Sequence, residues 1–316
     1  MVAIAVLDDY QNVALQMADW SKLQQAHRLT VFNQPFASED AAAAALADFE
    51  VIGIMRERTP FSRTLFARLP KLRLLVTTGK RNAAVDMAAA AEHKVMVCFT
   101  GGTGHPTAEL TFGLMLAFAR NIPVEVENMR AGRWQTTVGF DLNGRTLGIV
   151  GLGNLGSQVA RIGKAFGMRV LAWSENLTEA RAAEHGAQRV DKLALFAQSD
   201  IVTIHMLLSK RSRGLIGAPE LAAMKRTGLL INTSRGPIVQ EAALLAALAE
   251  KRIAGYAGDV YDTEPLPADH PIRREPRALL TPHIGYVTRD TYEVFYGKMV
   301  AVIEAWLAGA PINILE

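Results

Sequence analysis

Short apolar runs alternate with longer segments of helical spacing along the whole chain. In the first third, two helical patterns, 41–49 and 83–93, lie between such runs. Short buried strands that alternate with helices are typical of parallel β-α-β construction, in which helices cover both faces of the sheet. The pattern therefore predicts an α/β fold whose first sheet contains strands over 2–7, 29–32, 51–55, 72–77 and 95–99.

A second series of strands and helices begins near Thr146. After it, residues 289–307 carry apolar side chains at helical spacing, so we expect a final amphipathic helix that returns to pack on the first domain. Because 316 residues exceed what one compact core usually serves, the sequence predicts two domains. The second series has six apolar runs, the number of strands in a doubly wound dinucleotide-binding sheet, at 147–150, 170–173, 201–205, 229–232, 255–260 and 278–280.

The charge balance argues against nucleic-acid and membrane-surface binding. Lys and Arg total 34 against 31 Asp and Glu, and the basic residues are scattered along the chain. The one cysteine, Cys98, lies in an apolar run, so we interpret it as a core residue and expect no disulfide and a reducing cytoplasm. The N-terminal apolar run reaches Asp8 too early for a signal peptide or a membrane span. The seven histidines are dispersed, so no metal site is expected.

A glycine motif of the form G-x-G-x-x-G directly follows the strand predicted to end at residue 150. Gly151 suits a tight turn, Gly153 lets a pyrophosphate approach the backbone, and Gly156 allows close helix–strand packing. The following helix begins with Asn154 and Leu155, whose N–H groups can bind the anionic pyrophosphate. The alternative interpretation is a glycine-rich turn without a ligand. The strand before it and the helix after it favour dinucleotide binding.

Three polar segments follow strands of the second series, at 232–236, 258–265 and 281–285. Loops beyond the carboxyl ends of such strands converge on the ligand crevice, which brings Arg235, Glu264 and His283 together. A guanidinium can hold the carboxylate and C2 oxygen of a 2-oxo acid, and an imidazolium can protonate that oxygen. A neighbouring carboxylate orients the ring and favours its charged form. Taken singly, the three residues could instead be a surface cation, a loop acid and a turn histidine.

These segments, together with the glycine motif, closely resemble the D-isomer-specific 2-hydroxyacid dehydrogenase family over nearly the whole chain. The resemblance implies that Arg235, Glu264 and His283 are the catalytic residues. It also implies a discontinuous substrate domain, residues 1–100 with 285–316, around a Rossmann-like coenzyme domain at 101–284, and homodimers formed through the coenzyme domain. In the same loops the further residues expected to bind the coenzyme are Thr233, Ser234, Asp259 and Gly285.

The family also has a glycine-containing turn in its first domain whose backbone binds the substrate carboxylate. Here the matching turn, residues 77–82, contributes Thr78 and Gly79. A second glycine that is often found in this turn is absent, and Lys80 and Arg81 stand near its place. These cations are either solvated, or they enlarge the anion site for a second carboxylate or a phosphate of the substrate. Arg56 and Arg58, at the end of the third strand, are the alternative candidates for that enlarged site.

The choice of coenzyme depends on the end of the second strand of the series. Family members usually place an acid at the position of Ser174, where it binds the ribose 2′-hydroxyl. Here the acid is Glu175, one position later, and the nearest downstream cation is Arg181. We therefore expect NAD(H) to be preferred or shared, with NADP(H) possible. His205, at the end of a strand, is interpreted as a hydrogen-bonded structural residue, Glu109 is also interpreted as a structural residue, and the role of His105 stays open.

The resulting hypothesis is an oxidoreductase that moves a hydride between NAD(P)H and C2 of a small 2-oxo or 2-hydroxy acid. One alternative is a corepressor-like protein that binds NAD(H) as a ligand, although the chain has no long disordered tail. Another is a formate- or phosphonate-type dehydrogenase. Formate oxidation needs no proton relay, so the pair formed by Glu264 and His283 favours hydroxyacid chemistry. The sequence does not identify the side chain of the substrate.

Overall fold

The computed structural model describes residues 1–80 and 82–315. Two compact units make up the chain: Met1–Thr103 with Thr288–Glu316, and Gly104–Val287. Each unit contains one parallel sheet with helices around it. The predicted fold class, two doubly wound α/β domains with the first discontinuous, is confirmed.

The first unit contains a five-stranded sheet in the order β2-β1-β3-β4-β5. Every adjacent pair of strands is parallel. This order places the first strand inside the sheet, as in flavodoxin-like doubly wound folds. All five predicted strands are present; four are one or two residues shorter than predicted, and β2 is shifted by one residue towards the N-terminus. Their bounds are β1 Ala3–Val6, β2 Arg28–Val31, β3 Val51–Ile54, β4 Leu74–Thr77 and β5 Met96–Phe99.

The first four helices of this unit are short, and α2, α3 and α4 begin at side chains that cap them. Ser38 accepts a hydrogen bond from the backbone N–H of Ala41. The helix predicted over 83–93 is shorter than expected, because Asp86 accepts from the N–H of Ala89 and makes Met87 the first helical residue. The four helices are α1 Ser21–Ala26, α2 Glu39–Leu46, α3 Arg63–Ala67 and α4 Met87–Glu92.

The second unit contains a seven-stranded sheet in the order β12-β11-β10-β9-β6-β7-β8. The prediction of six strands was wrong by one. It missed Gln188–Arg189, an edge strand of two exposed residues with no apolar run to reveal it. With that strand, the six strands from β8 at one edge to β11 have the order of a dinucleotide-binding sheet. The predicted strand at 278–280 lies outside this set of six, as a seventh strand at the other edge. The bounds are β6 Thr146–Val150, β7 Arg169–Trp173, β8 Gln188–Arg189, β9 Ile201–Ile204, β10 Leu229–Asn232, β11 Gly255–Gly258 and β12 Ala278–Leu280.

Two successive helices of the second unit meet at Asn121. Asn121 takes a left-handed conformation with φ of 50° and ends one helix, and Pro123 occupies the first turn of the next. Within residues 1–80 and 82–315, short 3-10 turns lie at Ala14–Gln16, Gly236–Ile238 and Pro271–Arg274. The helices are α5 Pro106–Ala119, α6 Ile122–Arg130, α7 Asn154–Ala165, α8 Glu179–Glu184, α9 Lys192–Gln198, α10 Ala218–Ala223 and α11 Glu241–Ala249.

The final helix, α12 Arg289–Leu307, has the predicted bounds and belongs to the first unit. Thr288 caps it by accepting a hydrogen bond from the N–H of Thr291. Met299 packs on β3 so closely that a Cβ at Gly53 would lie 2.4 Å from its sulfur atom. Beyond this helix, the N–H of Leu315 donates to the carbonyl of Val97. The C-terminal segment therefore closes the core of the first unit.

Candidate active site

The glycine motif forms a tight cradle between β6 and α7. Gly151 has φ of +96°, and a Cβ there would lie 2.6 Å from the carbonyl oxygen of His205. A Cβ at Gly156 would lie 2.0 Å from the carbonyl oxygen of Gly151. Around Gly153, by contrast, nothing lies within 4 Å of where a Cβ would be. Glycine is thus required twice by the fold, while the third glycine leaves an open space above the backbone.

That open space lies at the N-terminus of a 12-residue helix, α7, whose N-cap is Gly153. The N–H groups of Asn154, Leu155 and Gly156 belong to the first turn and have no acceptor within the helix. They and the positive end of the helix dipole suit an anion. These features fit the pyrophosphate of a dinucleotide.

His205 lies at the end of β9 beside this cradle, and the structure corrects the expectation that its side chain is hydrogen-bonded. Its ring is buried, with 9% of the residue exposed, and neither ring nitrogen has a hydrogen-bond partner among the described residues. Burial lowers the pKa of His205 to about 3, so the imidazole is neutral. Its backbone N–H donates to the carbonyl of Val150 at 2.8 Å. A buried polar ring without a partner is a further feature that fits a bound ligand.

The end of β7 carries the two residues expected to bind the adenosine ribose. Ser174 is half-buried, and its carbonyl accepts a hydrogen bond from the N–H of Leu177 in the following turn. Glu175 is exposed at the start of that turn. Both residues therefore lie in a short turn at the carboxyl end of the sheet.

The structure brings Glu264 and His283 into direct contact. Glu264 Oε2 lies 2.5 Å from His283 Nδ1. An ionised carboxylate only accepts hydrogen bonds, so Nδ1 carries the proton and Nε2 is the ring nitrogen that remains for a substrate. The second oxygen of Glu264 accepts from the backbone N–H of Tyr261 at 2.9 Å. The carboxylate is thereby fixed at both oxygens.

The loop that carries His283 is held in an unusual conformation. His283 has φ of +54°, a left-handed conformation that costs a non-glycine residue roughly 1 kcal/mol or more. Asp259 stabilises it by accepting from the N–H groups of Ile284 and Gly285, each at 2.8 Å, and from the Thr281 hydroxyl at 2.6 Å. Burial raises the pKa of Asp259, against the opposing effect of these hydrogen bonds.

Arg235 follows β10 in a segment that is pinned by its neighbours. Asn232 donates through its side chain to the carbonyl of Arg235 at 2.9 Å and accepts from the N–H of Ser234. The Arg235 guanidinium donates to the carbonyl of Ser234 at 2.6 Å. The Ser234 hydroxyl donates to Met206, and the Thr233 hydroxyl bonds that of Thr111. The half-buried guanidinium is held close to its own backbone.

The first unit carries the predicted substrate turn after β4. The guanidinium of Arg56 lies over Gly79, where a Cβ would be 1.7 Å from Nη1, and it donates to the carbonyl of Thr78 at 3.2 Å. Thr78 in turn accepts from the N–H of Arg56 at 2.7 Å. Lys80 is exposed, with its ammonium 5.8 Å from the centre of the Phe99 ring. Arg81 lies outside the described residues. The turn is therefore joined to Arg56.

A polar cluster at the ends of β1 and β3 surrounds Asp8, which is only 1% exposed. The Thr59 hydroxyl donates to the Asp8 carboxylate at 3.0 Å, and the Arg58 guanidinium donates to the Asp8 carbonyl at 2.7 Å. Arg58 also lies over the Tyr10 ring at 4.4 Å. Burial raises the pKa of Asp8 to about 6, in spite of Thr59 and Arg58, which lower it.

Metal sites and membrane-spanning helices are both absent from the described residues. No group of three or more His, Cys, Asp or Glu side chains within 1–80 and 82–315 has an arrangement that could hold a metal ion. No helix in these segments is both long and apolar enough to cross a bilayer. Burial raises the pKa of the Cys98 thiol to about 11, so this thiol is a poor nucleophile.

Comparison with known proteins assigns the chain to a family. The NAD-binding domain of the D-isomer specific 2-hydroxyacid dehydrogenases matches residues 112–285. The chain belongs to this family. A glyoxylate reductase of Aeropyrum pernix is 38% identical over 237 residues, which is 72% of this chain and 71% of the relative. A glycerate dehydrogenase of Methylorubrum extorquens is 34% identical over 274 residues, 83% of this chain and 84% of the relative.

Solved structures give the same result for the fold of this 2-hydroxyacid dehydrogenase. A phosphoglycerate oxidoreductase from Vibrio cholerae O395 superposes with a TM-score of 0.92 and 36% identity, covering 98% of this chain and all of that one. The family match lies inside the second unit, so this unit is the NAD-binding domain, and the cradle at Gly151–Gly156 fits that coenzyme. The protein is an NAD(P)-dependent oxidoreductase of small 2-hydroxy acids, as the sequence predicted.

Some residues that build the site were missed by sequence reasoning. Tyr261 lies inside the polar segment 258–265, but nothing in the sequence pattern distinguishes it from Asp259 and Glu264. Thr107, whose hydroxyl donates to the carbonyl of Gly285 at 3.0 Å, lies 178 residues away along the chain. Tyr286 packs edge-on against the His283 ring, with ring centres 5.7 Å apart. Only the three-dimensional contacts identify these residues.

Proposed function

We propose that this dehydrogenase interconverts a short 2-oxo acid and the corresponding D-2-hydroxy acid, with Arg235, Glu264 and His283 as its catalytic residues. The observation that carries the proposal is the 2.5 Å contact between Glu264 Oε2 and His283 Nδ1. It leaves Nε2 as the proton donor or acceptor and supplies a negative charge that stabilises the imidazolium. An oxidoreductase that forms or consumes a hydroxyl group needs such a proton relay.

Each catalytic residue has one task in this mechanism. When bound, the nicotinamide coenzyme supplies a hydride to C2 in reduction and accepts it in oxidation. His283 donates its Nε2 proton to the C2 oxygen in reduction and accepts it in oxidation, while Glu264 stabilises the charged ring. Arg235 holds the carboxylate and the C2 oxygen through parallel hydrogen bonds, which fixes the face of the carbonyl.

The first unit contributes anion recognition in this proposal. Thr78 and Gly79 offer a backbone turn for the substrate carboxylate, and Arg56 lies against that turn. Lys80, which is exposed, and Arg81 are included in the proposed substrate turn because of their positions in the sequence. The Arg56 and Arg58 pair would favour substrates with a second anionic group, so a phosphorylated 2-oxo acid belongs in the test.

The relatives suggest which substrates to try first. Glyoxylate reductases and a glycerate dehydrogenase act on two- and three-carbon acids by name. We propose glyoxylate and hydroxypyruvate as the leading substrates. Steady-state rates with glyoxylate, hydroxypyruvate, pyruvate, phenylpyruvate and 3-phosphohydroxypyruvate, each with NADH and NADPH, test this directly. Absence of turnover with every one of these oxo acids would refute it.

For the coenzyme, we propose a preference for NAD(H). Glu175 is exposed at the end of β7, where a carboxylate repels a 2′-phosphate. Ser174 beside it is small and neutral, so NADP(H) is not excluded sterically. The remaining proposed coenzyme contacts are Gly151, Gly153, Asn154, Leu155, Gly156, Thr233, Ser234, Asp259 and Gly285, all at the carboxyl ends of strands in the second unit.

We also propose that the enzyme is a homodimer formed through its second unit, and that it works in the cytoplasm. Six large apolar side chains of α6 and of the segment between α6 and β6 are exposed, including Met129 at 57% and Trp134 at 74%. An exposed apolar patch of this kind marks an interaction surface. The cytoplasm is supported by the single, buried cysteine. Sedimentation equilibrium of the wild type and of Trp134→Ser tests the dimer.

Two substitutions test the catalytic roles. His283→Ala should keep NADH binding and lower kcat by about 10² to 10⁴, the usual contribution of a positioned acid. Arg235→Lys replaces a planar fork by a point charge, so kcat should fall and KM for the oxo acid should rise. NADH titration by fluorescence confirms that both variants are folded. Turnover at the wild-type rate in His283→Ala would remove His283 from the mechanism.

A further inference from the structure

Tyr261 is half-buried between the segments that carry the three proposed catalytic residues. It lies in the loop after β11, two residues beyond Asp259 and three before Glu264. Its side chain, its N–H and its carbonyl each meet a different segment. Few residues outside the catalytic set can influence all three loops at once.

The hydroxyl of Tyr261 reaches the histidine loop. It donates to the carbonyl of Thr281 at 2.8 Å. The carbonyl oxygen of Gly258 is a second, more distant acceptor at 3.3 Å. The Thr281 carbonyl also accepts the N–H of His283 at 3.1 Å. The two donors therefore meet on one oxygen, two residues before His283, whose left-handed backbone needs support. Burial raises the pKa of the Tyr261 hydroxyl, so it remains a donor across the working pH range.

The backbone N–H of Tyr261 fixes the catalytic carboxylate. It donates to Glu264 Oε1 at 2.9 Å, while Oε2 contacts His283. A carboxylate bonded at one oxygen can rotate about its last torsion, but one bonded at both oxygens cannot. Tyr261 thus sets the direction in which Glu264 approaches the imidazole.

The carbonyl side of Tyr261 abuts the arginine segment. A Cβ at Gly236 would lie 2.1 Å from the carbonyl carbon of Tyr261 and 2.3 Å from its oxygen. Only a glycine allows this approach, so the residue directly after Arg235 packs on the Tyr261 peptide. The position of the Arg235 segment therefore depends on where the Tyr261 backbone lies.

We propose that Tyr261 is a positioning residue that aligns the Arg235, Glu264 and His283 segments with one another. The inference rests on the proposed function, because it gives Tyr261 a kinetic role only if those three residues act on the substrate. Tyr261 touches neither substrate nor coenzyme in this scheme. It acts by keeping His283 Nε2 and the Arg235 guanidinium at a fixed separation.

The test is Tyr261→Phe, which removes the hydroxyl and keeps the ring. The Thr281 carbonyl then loses one of its two donors, and the His283 loop gains freedom. We expect kcat for the oxo acid to fall about tenfold, equivalent to about 1.4 kcal/mol of activation free energy. The Kd of NADH should stay within twofold of the wild type, and KM for the oxo acid should change less than kcat. Tyr296→Phe is the matched control, a buried tyrosine in α12 whose loss of a hydroxyl should leave kcat unchanged.

A double-mutant cycle distinguishes positioning from general destabilisation. If Tyr261 acts through the Glu264 and His283 pair, adding Tyr261→Phe to Glu264→Gln should lower kcat by much less than tenfold. In that background the pair is already weakened, so its alignment contributes less to kcat. Gly236→Ala tests the arginine side and should raise KM for the oxo acid more than Tyr261→Phe does.

The outcomes separate this inference from the proposed function. Full loss of turnover in His283→Ala together with wild-type kcat in Tyr261→Phe would overturn the positioning role alone. Wild-type turnover in His283→Ala would overturn the proposed function itself. The fold-decreases in kcat caused by Tyr261→Phe and by Glu264→Gln could instead multiply in the double variant. That result would show that the Tyr261 hydroxyl does not act through the Glu264 and His283 pair, and it would also overturn the inference.

Discussion

Replacing Gly153 by Ala should weaken coenzyme binding while leaving the fold intact. Gly153 has φ of −85° and ψ of −157°, which an alanine can adopt, and nothing lies within 4 Å of the new methyl group. Alanine reduces the freedom of the unfolded chain and stabilises the protein by about 0.4–1 kcal/mol. As an N-cap it is worse than glycine by a similar amount. The two effects offset, so the free energy of unfolding should change by less than about 1 kcal/mol.

The effect on the coenzyme should be much larger. The methyl group occupies the open space beside the first-turn N–H groups of α7, where the pyrophosphate would approach. A hydrogen bond to a charged group contributes about 1.5–3 kcal/mol, so losing one of them raises the Kd of NADH by about 10- to 150-fold. No such loss is expected where an added methyl meets only solvent.

Fluorescence titration with NADH, combined with urea unfolding in the absence of coenzyme, checks both halves of this prediction. Gly113→Ala is the matched control, because Gly113 lies exposed in α5 and its added methyl also meets nothing within 4 Å. It should leave the Kd unchanged. Gly156→Ala should instead lower stability, since its methyl would lie 2.0 Å from the Gly151 carbonyl oxygen. Wild-type affinity in Gly153→Ala would refute the placement of the pyrophosphate at this loop.

Three further predictions concern charge. Glu264→Gln replaces a charge-assisted hydrogen bond by a neutral one, so kcat should fall roughly ten- to thirtyfold, and a change below twofold would argue against the pair. Glu175→Ala should raise kcat/KM for NADPH relative to NADH, and an unchanged ratio would mean that Ser174 and Asn176 bind the ribose instead. The pKa of Asp8, about 6 in the folded protein against 3.8 ordinarily, means that this carboxyl stabilises the fold below pH 4 and that the benefit is lost as pH rises through 6. Asp8→Asn should therefore gain up to about 3 kcal/mol in free energy of unfolding at pH 8 and progressively less towards pH 4, which unfolding curves at each pH will show; a difference that does not vary with pH would contradict it.

The elements that the sequence predicted correctly are those with strong local signals. The strands of the first unit are apolar runs bounded by turns, and α12 has both a capping threonine and a long amphipathic pattern. The edge strand β8 has only two residues, both exposed, and so it is stabilised by its neighbour β7 and not by its own side chains. The start of α4 was misplaced because apolar residues before Asp86 fit the helical spacing as well as those after it.

The candidate site divides in the same way. Motif spacing predicted that Glu264 and His283 would be neighbours, and their atoms are in contact. It did not predict that both oxygens of Asp259 would be used to hold the His283 loop, or that Tyr261 would join it. The left-handed backbone of His283 has no sequence signal, because histidine adopts that conformation more often than most residues but far less readily than glycine. Such features arise from contacts between loops that are distant along the chain.

The register of the second sheet explains why those loops meet at all. Asn232 of β10 pairs with Gly258 of β11, and Gly258 pairs with Leu280 of β12. Because neighbouring strands lie about 4.8 Å apart, three strands end level with one another within about 10 Å. Arg235 lies three residues beyond the end of β10, and His283 lies three residues beyond the end of β12. Each residue therefore has only a short, stiff connection to the sheet. A slip of one residue in β12 would turn its side chains to the opposite face and move His283 away from Glu264. The chemistry therefore depends on strand pairing that the apolar pattern permits but does not specify, and this pairing is what Asp259 and Tyr261 hold in place above the sheet.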